Sequence, residues 1–256
     1  MSAIEKIMVP TDFGEAAEHA MNYVAGLTRG FPDKQVTFLH ISDQVNDRTR
    51  EEMERVHAQF ELLSEASCKT EARVGDLTEE ILAYHGEHPQ DLVIMGTEGR
   101  EGDLLSHSAE VALRADFPVL SIPRTIEPSG KIENIVLALD KNAINDSSSL
   151  GILHKLAREH DAKVHVLTIE TEDEGHYIGS EASESVLEYY LETLDWKYVF
   201  PKNKSIEQGI IAYVEENNID VLAVLPKNHA SRTPRSEGQL TKLLTLHSKI
   251  PVLAID

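Results

Sequence analysis

Three glycines fall within seven residues in Gly96-Thr97-Glu98-Gly99-Arg100-Glu101-Gly102, directly after the apolar run Asp91-Leu92-Val93-Ile94-Met95. Glycine lets a ligand come close to the backbone, and a turn so composed exposes backbone N–H groups. A helix starting beyond it adds its N-terminal donors and positive dipole end, which suit a phosphate. Arg100 can supply a charge. The competing reading is a flexible surface turn, and glycines alone do not decide between the two. Two further segments leave apolar runs in the same way, Pro10-Thr11-Asp12 and Ile41-Ser42-Asp43.

The elements that must position these residues follow from periodicity. Short runs rich in Val, Ile and Leu alternate with longer amphipathic stretches, the pattern of a parallel sheet covered by helices on both faces. In the first half, strands are predicted over 4–10, 35–42, 69–75, 91–96 and 118–122, with helices over 13–29, 47–66, 77–87 and 105–115. In the second half, strands are predicted over 132–140, 163–169, 196–200, 220–225 and 251–255. The helices there are 143–160, 181–193, 205–217 and 238–247. Asp76-Leu77-Thr78-Glu79 opens one helix in a manner like a capping box, and Ser205-Ile206-Glu207-Gln208 meets the strict pattern. Five strands and four helices per half give an α/β, doubly wound, mainly parallel sheet, which binds ligands beyond the carboxyl ends of its strands where strand order reverses. The glycine loop and Asp12 belong to that end.

The chain also repeats itself. Ile7-Met8-Val9-Pro10-Thr11-Asp12 returns 128 residues on as Ile135-Val136-Leu137-Ala138-Leu139-Asp140. Val36-Thr37-Phe38-Leu39-His40-Ile41 returns as Val164-His165-Val166-Leu167-Thr168-Ile169, and Pro118-Val119-Leu120-Ser121-Ile122 as Pro251-Val252-Leu253-Ala254-Ile255. The 256 residues therefore divide into a domain at 1–124, a linker at 125–131 and a domain at 132–256.

Composition narrows the function classes. A net charge of −20 disfavours a nucleic-acid partner, which needs clustered Lys and Arg. One cysteine, Cys68, excludes an intrachain disulfide and points to a reducing compartment. No apolar run reaches the roughly 20 residues that span a bilayer, and no signal segment precedes the first strand. The expectation is a cytoplasmic protein with no membrane partner.

Ile-Met-Val-Pro-Thr-Asp-Phe at 7–13, Val-Gly-Asp-Leu-Thr-Glu-Glu-Ile at 74–81, Asp-Leu-Val-Ile-Met-Gly-Thr-Glu-Gly-Arg at 91–100 and Phe-Pro-Val-Leu-Ser-Ile at 117–122 resemble the universal stress protein family. Both halves carry the resemblance, so the chain is similar to a tandem member. The resemblance implies an adenine nucleotide, ATP or AMP. Asp12 is then the ribose partner with Pro10 and Thr11 beside it, Ile41 the adenine neighbour, and Gly96 and Gly99 the phosphate glycines with Arg100 alongside. It further implies that the two domains pair through their last strands, 118–122 and 251–255, as an intramolecular pseudo-dimer. Association into a homodimer and an unidentified protein partner are also expected.

The departures matter as much. The family's phosphate loop reads Gly-x2-Gly-x9-Gly-Ser/Thr. Here the closing pair falls on Leu105-Ser106 in a loop about four residues short, leaving Ser106 or Ser108 to offer a hydroxyl. The second half keeps the length, with Gly238 at the end, but Leu225-Pro226-Lys227-Asn228 replaces the leading glycines, and Pro226 removes a donor. Asp140 and Ile169 stand at the ribose and adenine positions, and Lys227, His229, Arg232 and Arg235 make the loop basic, but this is the weaker site.

Other constellations carry less. His85 and His88 have H-x-x-H spacing but no third ligand, and no metal is predicted. Ser147-Ser148-Ser149 lacks a nucleophile elbow and reads as a turn or helix start. No P-loop is present. The reading is a non-catalytic, stress-linked binding or regulatory protein. The alternatives are a family member that has lost nucleotide and acts through protein contacts, and a slow nucleotide hydrolase.

Overall fold

The computed structural model describes residues 3–97, 106–139, 150–171, 187–225 and 248–255. In the first half, strands β1 (Lys6–Thr11), β2 (Gln35–Ser42), β3 (Ser67–Val74), β4 (Leu92–Thr97) and β5 (Val119–Pro123) alternate with helices α1 (Glu15–Leu27), α2 (Asp47–Leu63), α3 (Leu77–Glu87) and α4 (His107–Arg114). In the second half come β6 (Asn134–Ala138), α5 (Gly151–His160), β7 (Lys163–Leu167), β8 (Trp196–Val199), α6 (Ile206–Glu216), β9 (Val221–Val224) and β10 (Val252–Ala254). Residues 187–191 are also helical. The expected helix 238–247 lies outside the described residues.

The ten strands among the described residues form one sheet in the order β3-β2-β1-β4-β5-β10-β9-β6-β7-β8. Each half is thus the doubly wound order 3-2-1-4-5, with its reversal between the first and fourth strands. Every neighbouring pair is parallel except β5 with β10. There Val119 faces Ala254, Leu120 faces Leu253 and Ser121 faces Val252. Since Leu253 is the repeat of Leu120, the two halves are related by a local two-fold passing between these residues. The last strands pair inside one chain, as the resemblance implied.

Strand composition follows position. Ile7, Met8 and Val9 are wholly buried because helices cover the central strands on both faces. Edge strand β3 instead carries Lys69, Glu71 and Arg73, which discourage pairing with another chain. Arg73 reaches Glu87 at 2.6 Å and lies over the Tyr84 ring. Helix starts obey local chemistry: Asp76 Oδ1 accepts from Glu79 N, and Ser205 Oγ accepts from Gln208 N. The reciprocal capping box occurs at α2, where Asn46 and Thr49 bond each other's backbone N–H. Asn-x-x-Thr lies outside the usual Ser/Thr-x-x-Glu/Gln pattern.

One face of the sheet carries a single core through both halves, from Ile7, Val24 and Phe60 to Leu153, Leu156 and Leu253. The other face carries two separate clusters, one around Ile81 and Val111, the other around Ile210 and Leu222. On the shared face, polar contacts cross between the halves. Lys34 Nζ meets Glu159 Oε2 at 2.6 Å and donates to Ile4 O, while Ile4 N donates to Glu159 Oε1. Lys155 reaches Asp91 at 3.0 Å. Asp91 Oδ2 also accepts the N–H groups of Glu5 and Lys6, as Asp220 Oδ2 does for Glu133 and Asn134.

The linker is docked rather than free. Gly130 (φ +65°) crosses α1 so closely that an added Cβ would stand 2.1 Å from Leu27 N. A Cβ on Gly26 would stand 2.6 Å from Ser129 O. Backbone meets backbone, which only glycine permits here.

Two imidazoles, the buried His165 and the half-buried His160, make the fold sensitive to acid. His165 bonds the Tyr213 hydroxyl at 2.9 Å, and His160 lies beside the Lys34–Glu159 pair. Burial holds His160 below the ordinary value of 6.5, opposed by Glu159 and aided by Lys34. Burial likewise lowers His165, aided by Lys197 and Lys163 against Asp195. A histidine depressed in the folded state takes its proton more readily when unfolded, so stability is complete above about 6.5 and is lost as pH falls below it. The melting temperature, followed by circular dichroism, is expected to fall between pH 7.5 and 5.5. His165→Asn should flatten part of that slope.

Candidate functional site

The reversal of strand order puts the carboxyl ends of β1 and β4 side by side, with β2 flanking β1. Pro10 and Thr11 close β1 and are buried, whereas Asp12 is exposed just beyond them. Asp12 Oδ1 accepts the N–H of Gly14 at 2.8 Å, and Thr11 Oγ1 accepts that of Phe13 at 3.2 Å. These local bonds fix the turn into α1 and hold the carboxylate in place. Asp12 Oδ2 takes no hydrogen bond among the described residues. Ile41, near the end of β2, is half-buried against the cluster around Ile81.

Phe13 is the strained residue of this turn. Its φ of +64° lies in the left-handed region, uncommon for a bulky side chain and characteristic of functional turns. The ring stacks on His40 with centroids 4.3 Å apart. His40 Nδ1 lies 2.8 Å from Thr11 O; a carbonyl only accepts, so Nδ1 carries the proton. Thr11, Phe13 and Phe38 also line a hollow of about 140 Å³ between α1 and α2, bordered by Glu18, Arg55 and Gln59. That is below the roughly 300 Å³ at which ordinary ligand pockets begin.

Gly96 is required for packing. A Cβ there would lie 2.0 Å from Ala16 O, so its bare backbone lets the first turn of α1 rest on the end of β4. Ser106 is the N-cap of α4; its Oγ accepts from Ala109 N and lies 3.1 Å from Ser108 Oγ. Ser108 is only 2% exposed, and its hydroxyl is already bonded to Ser106. Burial thus removes Ser108 from the groups that face a ligand. Gly99 and Arg100 lie outside the described residues.

In the second half, Asp140, Lys227 and Gly238 are outside the described residues. Ile169 is 4% exposed, and an added Cβ on Gly209 of α6 would stand 2.9 Å from its side chain. The half-exposed Ile41 of the first half has become a core residue in the second.

Two residues at the first-half rim had no local sequence signal. Arg124 follows β5, and its N–H donates to Thr97 O at the end of β4. Its guanidinium meets Glu15, in the first turn of α1, at 2.9 Å. His40 lies within a strand segment whose sequence carries no sign that it supports Phe13.

Residues 3–123, which contain this rim, match the family model described as the universal stress protein family. The first half is a universal stress protein domain. The second half repeats its strand order, and solved structures show the whole tandem fold. A universal stress protein from Archaeoglobus fulgidus DSM 4304 is similar over 98% of this chain and 96% of its own, with a TM-score of 0.70 and 16% identity. A functionally unknown protein from Pseudomonas aeruginosa PAO1 is similar over 98% and 92%, with a TM-score of 0.64 and 17% identity. The cytoplasmic domain of a prokaryotic cation chloride cotransporter is similar over 98% and 95%, with a TM-score of 0.60 and 13% identity. These identities carry the fold alone. No curated protein matches the chain significantly. Among the described residues, no helix is long and apolar enough to cross a membrane, and no group of three or more His, Cys, Asp or Glu could hold a metal ion.

Proposed function

We propose that this protein is a non-catalytic, cytoplasmic stress-response regulator that binds an adenine nucleotide, ATP or AMP, in its first half. The observation that carries the reading is Asp12. Its exposed carboxylate is oriented by Gly14 N–H, with Oδ2 unbonded among the described residues, at the point where strand order reverses. A carboxylate so held suits the paired hydroxyls of a ribose. Ile41 offers an apolar neighbour for the base, and Gly99 and Arg100 follow Gly96 in the sequence. The intramolecular pairing of β5 with β10 supports action as one covalent pseudo-dimer, and a further homodimer belongs to the same proposal.

A second reading, action through protein contacts without nucleotide, is favoured by Ile169. Its burial against Gly209 leaves the second half without an open apolar neighbour for a base. Calorimetric titration with ATP, ADP and AMP separates the two. Wild-type protein is expected to bind one nucleotide per chain, Asp12→Ala to weaken it at least tenfold, and Gly99→Val to abolish it. No heat with any nucleotide would eliminate the first reading. Steady phosphate release lost in both variants would make the protein a slow hydrolase instead.

A further inference from the structure

Asp12, Glu15 and Glu18 place three carboxylates within one turn of the candidate nucleotide rim, in a chain of net charge −20. A polyphosphate approaching this rim meets repulsion unless a cation offsets it. Arg124 forms an ion pair with the first turn of α1, and it comes from the far end of the domain. Arg124 is anchored by its backbone to Thr97 O, where β4 leaves the sheet, and by its side chain to Glu15 Oε2, where α1 begins. It therefore ties together both segments between which the strand order reverses. Ala16 O, packed against Gly96, keeps the same turn of α1 at the end of β4. Gly14, the N-cap of α1, supplies no side-chain cap to the first N–H groups of the helix.

We propose that Arg124 is the phosphate-recognising cation of the first-half site, held by Glu15 until a nucleotide phosphate displaces that carboxylate. The inference rests on the nucleotide reading above and adds to it a residue and an internal competitor. The physical reason is the exposure of the pair. Arg124 and Glu15 side chains are 46% and 77% exposed, and solvent leaves such ion pairs weak, so the guanidinium is released at little cost. A phosphate, with more charge and oxygens spaced for the guanidinium fork, is the stronger partner. The burial-lowered His19, whose depression Arg124 deepens, places this guanidinium close along the same helix.

The test is the affinity of full-length protein for ATP, AMP and adenosine, by calorimetry at two salt concentrations. Arg124→Gln is expected to weaken ATP about tenfold or more and AMP less, with adenosine unchanged and a shallower salt dependence. Glu15→Gln is expected to tighten ATP several-fold, and Arg124→Lys to restore part of the loss. Equal weakening of ATP and adenosine in Arg124→Gln would mean that the residue only braces the fold, and would overturn the proposal. So would wild-type ATP binding that Arg124→Gln leaves unaltered, with the nucleotide reading intact. Wild-type protein that binds neither nucleotide nor adenosine would overturn both.

Discussion

Glu159→Ala is expected to lower the unfolding free energy by about 3–5 kcal/mol, the range for breaking a buried ion pair from one side. Lys34 is 5% exposed at its side chain, and Glu159 12%. Without the carboxylate, the ammonium keeps Ile4 O and the Phe31 ring, 4.7 Å from Nζ, but no counter-ion. Ile4 N loses its acceptor as well. Because Lys34 belongs to the first half and Glu159 to the second, the loss falls on their junction, over the core that both share. Urea unfolding followed by circular dichroism measures it. The double variant Lys34→Met with Glu159→Leu removes both charges and should be markedly less destabilised than Glu159→Ala. If the two lose equally, the cost lies in packing and the ion-pair account fails.

Gly130→Ala is expected to cost about 2–5 kcal/mol, from the left-handed backbone and from a clash that no side-chain rotation relieves. Its added methyl would stand 2.1 Å from Leu27 N and 2.2 Å from Gly26 C, so either the linker lifts or α1 moves. Gly30 provides the control. Its φ is +79°, but an added Cβ meets nothing within 4 Å, so Gly30→Ala isolates the dihedral cost at about 1 kcal/mol. A Gly130→Ala midpoint in urea no lower than that of Gly30→Ala would show that the linker is not pressed on α1. A larger loss would also disturb the first-half rim, since α1 begins at that rim.

Much of this architecture could be read along the chain because its causes are local or repetitive. The covered central strands are apolar on both faces, so Ile7-Met8-Val9 and its repeat Ile135-Val136-Leu137 declare themselves without reference to partners. Asp76 and Ser205 cap helices through bonds three residues long. The repeat offsets even identify Leu120 and Leu253 as equivalents, which is the pairing at the local two-fold. Asp12 and Ile41 stood out because a doubly wound sheet presents the residues that follow its strands.

The remainder depended on residues that meet only when layers and halves dock. Gly96, read as a phosphate glycine, is required by Ala16 O, 80 positions earlier in the chain. Ser108, read as an available hydroxyl, is turned into the interior by the helix that Ser106 caps. Ile41 and Ile169 are the same residue at equivalent positions, yet one is half-exposed and the other sealed, because α6 brings a glycine where α3 does not. Arg124 carries no motif, and only the adjacency of β5 to β4 and the lie of α1 across them bring it to the rim. Hydrophobic period and repetition determined the sheet, its two halves and the end at which a ligand would sit. Which groups at that end are open, buried or already partnered was decided by tertiary packing, since exposure and charge pairing are properties of surfaces in contact.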